Sequence, residues 1–400
     1  MYFTMTTNLP MNKEMIKRWL RLLWLLPAAW LVGCSTDKGA TSVGDTGARP
    51  IVFTVSTEDA PEEETRGYLL DELDAEFGLF CAQYDITDDW GEQGQPLNFM
   101  YNEVVFGSGD YWSTAEGYFV PKSAHLKFFA YYPYYDFEDD TRPLTMYGNG
   151  SVAYPYPSFT YVMPDDAEDQ LDLMYAISDE VSTTAKGKMN TVHLHFRHLL
   201  TAITIAAKSN ESCTLKKITL KNLYKKGEFE FKEGNELRAD ADYDYGNGFG
   251  DVYVNLNMKL KNDYKTADLG KSFMLILQPK DGDNNNVMSQ EAEIVIDIDA
   301  GGKLFTFRKK LNDPNAAGYP NTDAMASLRQ AFFTSKNTVL RLSVESLQRI
   351  KLSATITDWG HGANFDGAVS DQPTLELEPV ILEWGDSIAN TTTIITGPQS

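Results

Sequence analysis

Short runs of alternating apolar and polar residues recur along this chain, and they restrict it to stacked antiparallel β-sheet. In Lys216-Lys217-Ile218-Thr219-Leu220-Lys221, Ile218 and Leu220 point to one face while Lys217, Thr219 and Lys221 point to the other. Similar runs occupy 77–84, 99–106, 125–132, 191–196, 202–208, 214–221, 252–257, 272–278, 292–298, 303–309, 339–345 and 350–357. Turn signals such as Gly107-Ser108-Gly109 separate them. Twenty-one Tyr and 21 Phe add to the bias, because aromatic rings fit pleated, half-buried surfaces. The best helical pattern is 323–333, with Met325, Leu328 and Phe332 at i, i+3, i+7 and Thr322 as N-cap. The fold class expected is therefore all-β, sandwich-type, with little helix.

The N-terminus carries a different signal. Lys13, Lys17, Arg18 and Arg21 form a basic cluster, and Leu22 to Gly33 then runs twelve residues without charge. A membrane-spanning helix needs about 20 apolar residues. The run fits instead the roughly 7–15-residue apolar region of a secretory signal. Leu31-Val32-Gly33-Cys34 closes it, placing small residues before a cysteine. Cleavage is expected between Gly33 and Cys34, with lipid on the Cys34 thiol and acylation of the new N-terminus. Residues 1–33 then read as the signal peptide and 34–49 as a flexible, small-residue tether.

The body is acidic. The whole chain carries a net charge of −22, and the segment 1–33 holds four basic residues against Glu14 alone, so the exported part is more negative still. Such a surface repels nucleic acid, which is not an expected partner. A disulfide scaffold is excluded by three cysteines, one of them Cys34; Cys81 and Cys213 sit in strand-like segments and read as buried thiols. A small polar stretch at 182–187 divides the body into an N-terminal sandwich, 50–186, and a C-terminal one, 187–370, with an extension at 371–400.

An ordered set of segments resembles a known family. Thr65-Arg66-Gly67 ends an acidic loop after the first strand. Leu126-Lys127-Phe128-Phe129-Ala130-Tyr131-Tyr132-Pro133, Leu194-His195-Phe196-Arg197-His198-Leu199-Leu200-Thr201-Ala202-Ile203-Thr204-Ile205 and Ile218-Thr219-Leu220-Lys221-Asn222-Leu223 follow, and Ala354-Thr355-Ile356-Thr357-Asp358-Trp359 stands near the end. Behind a lipidation box, this order resembles the fimbrillin (Mfa-like) family of Bacteroidales surface lipoproteins over roughly 34–360. The resemblance implies two tandem transthyretin-like Greek-key sandwiches. It also implies an outer-membrane lipid anchor, surface exposure, other fimbrial subunits as partners, and a host or bacterial surface receptor as a further candidate.

Assembly in that family implies roles for particular residues. An open sheet edge invites strand addition. Ile51, Val52, Phe53, Thr54 and Val55 form the strand that would fill the precursor's groove, and Arg66–Gly67 is the matching cleavage site. Arg49 is a poorer cut site because Pro50 follows it. Leu375, Leu377, Val380, Leu382 and Trp384 alternate in the C-terminal extension and are the candidate donor-strand anchors. Thr391 to Ile395 is a second candidate, and 374–384 also reads as the last strand of the second sandwich.

Chemistry-bearing constellations are weak. His193 and His195 share one strand face, but no third ligand completes a metal site. Asp281-Gly282-Asp283-Asn284-Asn285-Asn286 departs from a calcium loop at its sixth position and at Ala292. No catalytic residue, metal or cofactor is assigned, and the chain does not read as an enzyme. The alternative function is a surface glycan-binding lipoprotein using Trp90, Tyr111, Trp112, Tyr131, Tyr132, Tyr134 and Tyr135 as stacking platforms. Exposure of those rings discriminates the two readings.

Overall fold

Period-two alternation turns into strands with one buried and one open face. In Val192–His198, Val192, Leu194 and Phe196 are buried while His193, His195 and Arg197 are exposed. The computed structural model describes residues 49–57, 76–90, 95–108, 111–114, 117–136, 144–147, 156–239, 249–268, 271–280, 283, 285, 287–312, 328–357, 375–377 and 379–380.

The strands of the first half are β1 (Phe53–Thr57), β2 (Glu76–Asp85), β3 (Met100–Ser108), β4 (Tyr111–Thr114) and β5 (Ala124–Tyr132). Then come β6 (Leu144–Tyr147), β7 (Ser158–Val162), β8 (Met174–Ile177), β9 (Val181–Ser182) and β10 (Val192–His198). The second half begins with β11 (Thr201–Ser209), β12 (Thr214–Tyr224), β13 (Lys226–Glu230), β14 (Arg238–Ala239) and β15 (Phe249–Lys259). It continues with β16 (Lys265–Thr266), β17 (Phe273–Leu275), β18 (Glu293–Ala300) and β19 (Lys303–Lys310). It ends with β20 (Asn337–Ser346), β21 (Arg349–Thr357), β22 (Leu375–Leu377) and β23 (Pro379–Val380). The all-β class expected from the alternation is what the chain adopts. Of the predicted helix, Leu328 to Gln330 is helical, with Leu328 and Phe332 buried, and 321–327 lies outside the described residues.

The first sheet has the order β2-β3-β4-β1-β10-β8-β5-β9, and β2 also pairs β5. That extra pairing closes the sheet on itself, so β1 is one stave of a ring rather than an edge. Phe53, Phe77, Leu79, Leu126, Phe128, Trp112, Leu194 and Phe196 fill the inside. Among the described residues there are three more sheets: β16-β11-β20-β21-β22 with β17 on β11, β15-β12-β18-β19-β23, and β14-β13-β7-β6. A second core runs from Phe80 and Phe129, on the outer face of the ring, through Phe229 and Phe231 to Leu342 and Leu352.

Strand pairings cross the expected boundary at 186/187. Strand β10, placed by sequence in the C-terminal sandwich, pairs β1 and β8 in the first sheet. Strands β6 and β7 go the other way, because β7 pairs β13 over five residues. The polar stretch near 184 is a tight turn: Gly187 N–H donates to the Thr184 carbonyl at 2.9 Å, and Gly187 takes a φ of +64°. Glycine adopts that conformation without a Cβ penalty.

Cys81 and Cys213 are free and buried. Burial pushes both thiols above their ordinary pKa, so neither is poised as a thiolate.

Candidate functional site

The site begins with β1. Its side chains alternate as the sequence requires: Ile51 and Phe53 are buried, and Val55 packs on the same core. Phe53 is fully buried, and its ring meets Phe128 edge-on with centroids 5.4 Å apart. On one side β1 lies parallel to β10, in register from Phe53↔Val192 to Thr57↔Phe196. On the other side it meets β4 antiparallel at Phe53↔Trp112. Just upstream, Ile51 N–H donates to the Tyr118 carbonyl at 2.9 Å and Val120 N–H to the Arg49 carbonyl at 3.0 Å. Residues 49–57 therefore occupy a slot with a wall on each side. Without them β4 and β10 would present two unpaired edges facing each other.

Outward-facing residues of β1 are bonded to β10 by their side chains. Thr54 Oγ1 lies 3.0 Å from His193 Nδ1. Ser56 Oγ lies 2.9 Å from His193 Nε2 and 2.9 Å from His195 Nδ1. A hydroxyl has one proton and two lone pairs, so Ser56 accepts from one imidazole and donates to the other. Burial, then the neighbouring Arg197 and His193 charges, holds His195 below its ordinary pKa. The i, i+2 pairs Thr54/Ser56 and His193/His195 thus seal two parallel strands; His193 and His195 contact hydroxyls of β1. No group of three metal-ligating side chains occurs among the described residues. Sequence reading placed Ser56 at the end of the plug strand without a bonding partner, although its outward position follows from the same alternation that buries Phe53.

Other predicted residues fall in two groups. Gly33, Cys34, Arg66, Gly67, Leu382 and Trp384 lie outside the described residues, as do Thr391 to Ile395 and most of 281–286. Leu375, Leu377 and Val380 are described through their backbone. Strand β22 pairs β21 antiparallel, Leu375↔Leu352 to Leu377↔Ile350. Strand β23 pairs β19, Pro379↔Phe307 and Val380↔Thr306. The tail thus runs along the edge of one sheet of the second half and then crosses to the edge of the other. These are contacts within the same chain, and a donated strand would have to leave them. Pro379 sits at the sheet edge, where a missing N–H is tolerated.

The aromatic residues named for stacking do not form a common platform. Trp112 and Tyr131 are core residues and Tyr135 is buried, while Tyr111 is 73% exposed on its own hairpin. Trp90 is half-buried against Tyr84, Phe129 and Tyr156.

Comparison with known proteins places the chain. No curated protein matches it in sequence. A fimbrial protein from Bacteroides vulgatus ATCC 8482 is 17% identical and aligns over 77% of this chain and 99% of that one, with a TM-score of 0.51. It shares the fold. The fimbrial anchor protein Mfa2 from Porphyromonas gingivalis is 14% identical over 77% of this chain and 99% of that one, with a TM-score of 0.34. A model of fimbrillin-like proteins matches residues 78–359, more than two-thirds of the length. The chain belongs to the fimbrillin-like family.

Proposed function

We propose that this protein is a structural or accessory subunit of an adhesive fimbrium at the cell surface. It is exported as a lipoprotein precursor, acylated on Cys34, and assembled by strand exchange. The observation that carries this reading is β1: a short strand, buried on its inner face and paired on both sides, that closes a ring otherwise open between β4 and β10. Residues 58–75, which include Arg66, separate it from β2 in sequence. Cleavage after Arg66 would leave β1 bound by non-covalent contacts alone.

Exchange is energetically reasonable. Each ladder bond contributes about 0.5–1.5 kcal/mol net, and each buried Ile, Phe or Val side chain about 1.5–3 kcal/mol. A neighbour's strand with apolar residues at every second position would restore nearly all of this. The tail supplies such a pattern, and among the described residues its cis pairing covers three residues on β21 and two on β19. The slot offers five register positions on β10 alone. The partners are then other subunits, with the outer membrane reached through the Cys34 lipid and a surface receptor beyond the fibre.

N-terminal sequencing of the chain recovered from fibres tests the proposal. The expected first residue is Gly67. A fibre-borne chain that retains Ile51 to Val55 would refute strand exchange at this slot.

A further inference from the structure

A cleft of about 340 Å³ lies on the outer face of the ring, where Lys127 and Phe129 of β5, Tyr175 and Ile177 of β8, and His195 and Arg197 of β10 face the end of β13. Trp90 and Tyr156 form one wall, and Phe231, Lys232 and Glu233 another. The size falls at the lower end of small-molecule sites, enough for one sugar residue with part of a second.

Its charge runs against the rest of the molecule. Lys127, Arg197 and Lys232 outnumber Asp179 and Glu233 in a chain whose net charge is −22. None of the three cations forms an ion pair among the described residues. Aromatic faces hold two of them instead: Lys127 Nζ lies 5.5 Å from the Trp90 ring centroid and Lys232 Nζ lies 6.0 Å from that of Tyr156. The wall itself is fixed, because Trp90 Nε1–H donates to Tyr156 Oη at 3.0 Å. Among the described lining residues, three cations against Asp179 and Glu233, gathered over a rigid aromatic wall, leave one net positive charge for a ligand to balance.

We propose that this cleft binds a carboxylate-bearing sugar residue, a hexuronate or a nonulosonate, through Lys127, Arg197 and Lys232. The sugar class follows from the two acids. Asp179 and Glu233 accept hydrogen bonds, and ring hydroxyls supply the donors while the carboxylate meets the cations. A phosphate dianion carries more charge than the one net positive charge of the described lining balances. An acidic peptide side chain brings the carboxylate without the hydroxyls. The three cations lie on β5, on β10 and just after β13, none of them on β1, so this proposal does not rest on strand exchange.

Isothermal titration of the purified full chain with methyl glucuronoside, N-acetylneuraminic acid, methyl glucoside and a glutamate-rich peptide tests the assignment. At least one of the two acidic sugars is expected to bind, and the neutral sugar and the peptide at least tenfold more weakly. Arg197→Gln and Lys232→Gln, both exposed positions, are each expected to weaken that binding about tenfold or more with an unchanged melting temperature. Lys127→Met is expected to do the same. Overturning results are failure of both acidic sugars to bind at millimolar concentration, equal binding of methyl glucoside or the peptide, or undiminished affinity in Arg197→Gln and Lys232→Gln.

Discussion

Phe53→Ala separates a strand that stays from a strand that leaves. Phe53 is fully buried, stacks edge-on with Phe128 at 5.4 Å, and lies opposite Trp112 in the register of β4. Truncating a ring in such a setting costs about 3–5 kcal/mol, part of it from the aromatic pair and part from the cavity left behind. At about 1.4 kcal/mol per decade, the population of precursor with β1 detached rises by roughly two to three and a half orders of magnitude. The backbone ladder to β10 is untouched by the substitution, so the effect is read on β1 itself. Hydrogen exchange of the amides in 51–57 is expected to accelerate in the Phe53→Ala precursor, and its urea midpoint to fall. Fibres assembled from the same variant are expected to match wild type in heat and urea resistance, because the altered residue has been discarded. Fibres weakened as much as the precursor would show that Phe53 remains in the assembled subunit, and the exchange argument would fail.

Arg66→Ala is expected to leave a longer surface precursor that stays monomeric on gels of unheated extracts; ladders of normal size from that variant would assign cleavage elsewhere. Cys34→Ser is expected to abolish incorporation of a fatty-acid analogue, since only a thiol is alkylated, and equal labelling of the two chains would remove the anchor. A chain ending at Asp371 is expected to fold, with a melting temperature within a few degrees of wild type, but to form no ladder. Among the described residues it gives up five paired positions at sheet edges, and a collapse in melting temperature would make 375–380 an integral strand instead.

Much of the sheet content was legible because burial on one face leaves a period of two. Residues 125–132 read as strand, and β5 begins one residue earlier at Ala124. The inward set Ile51, Phe53 and Val55 and the inward set Val192, Leu194 and Phe196 follow from the same rule. Which strands become neighbours does not. Alternation fixes a face and is silent about partners, so the parallel pairing of β1 with β10 across |i−j| near 139, carried by Thr54 and Ser56 on His193 and His195, had no local signal. The turn near Gly187 resembles a linker in composition because tight turns and linkers both favour small polar residues. The cleft was missed for a related reason: Trp90, Lys127, Arg197 and Lys232 come from four separate segments and share no motif.

Under the proposed strand exchange, the parallel pairing of β1 would bear on how a precursor is kept from polymerising. Consecutive antiparallel strands are joined by tight hairpins and fold as local units, whereas a parallel pair needs a long excursion between its members. Strand β1 and strand β10 are separated by every other strand of the first sheet. The slot between β4 and β10 therefore exists only once both walls are in place, and β1 can enter it without diffusing away because 58–75 tethers it to β2. The tether gives β1 a high effective concentration at the slot, against which a donor strand from another molecule competes poorly. A single cut within 58–75 removes that advantage without altering one contact in the slot. The walls, the Phe128 and Trp112 pocket and the two histidines stay where they were, ready for a strand with the same alternation. Proteolysis in this scheme supplies no binding energy; it converts an intramolecular competitor into an intermolecular one, and the equilibrium then passes to whichever free strand buries more apolar surface and pairs over more residues.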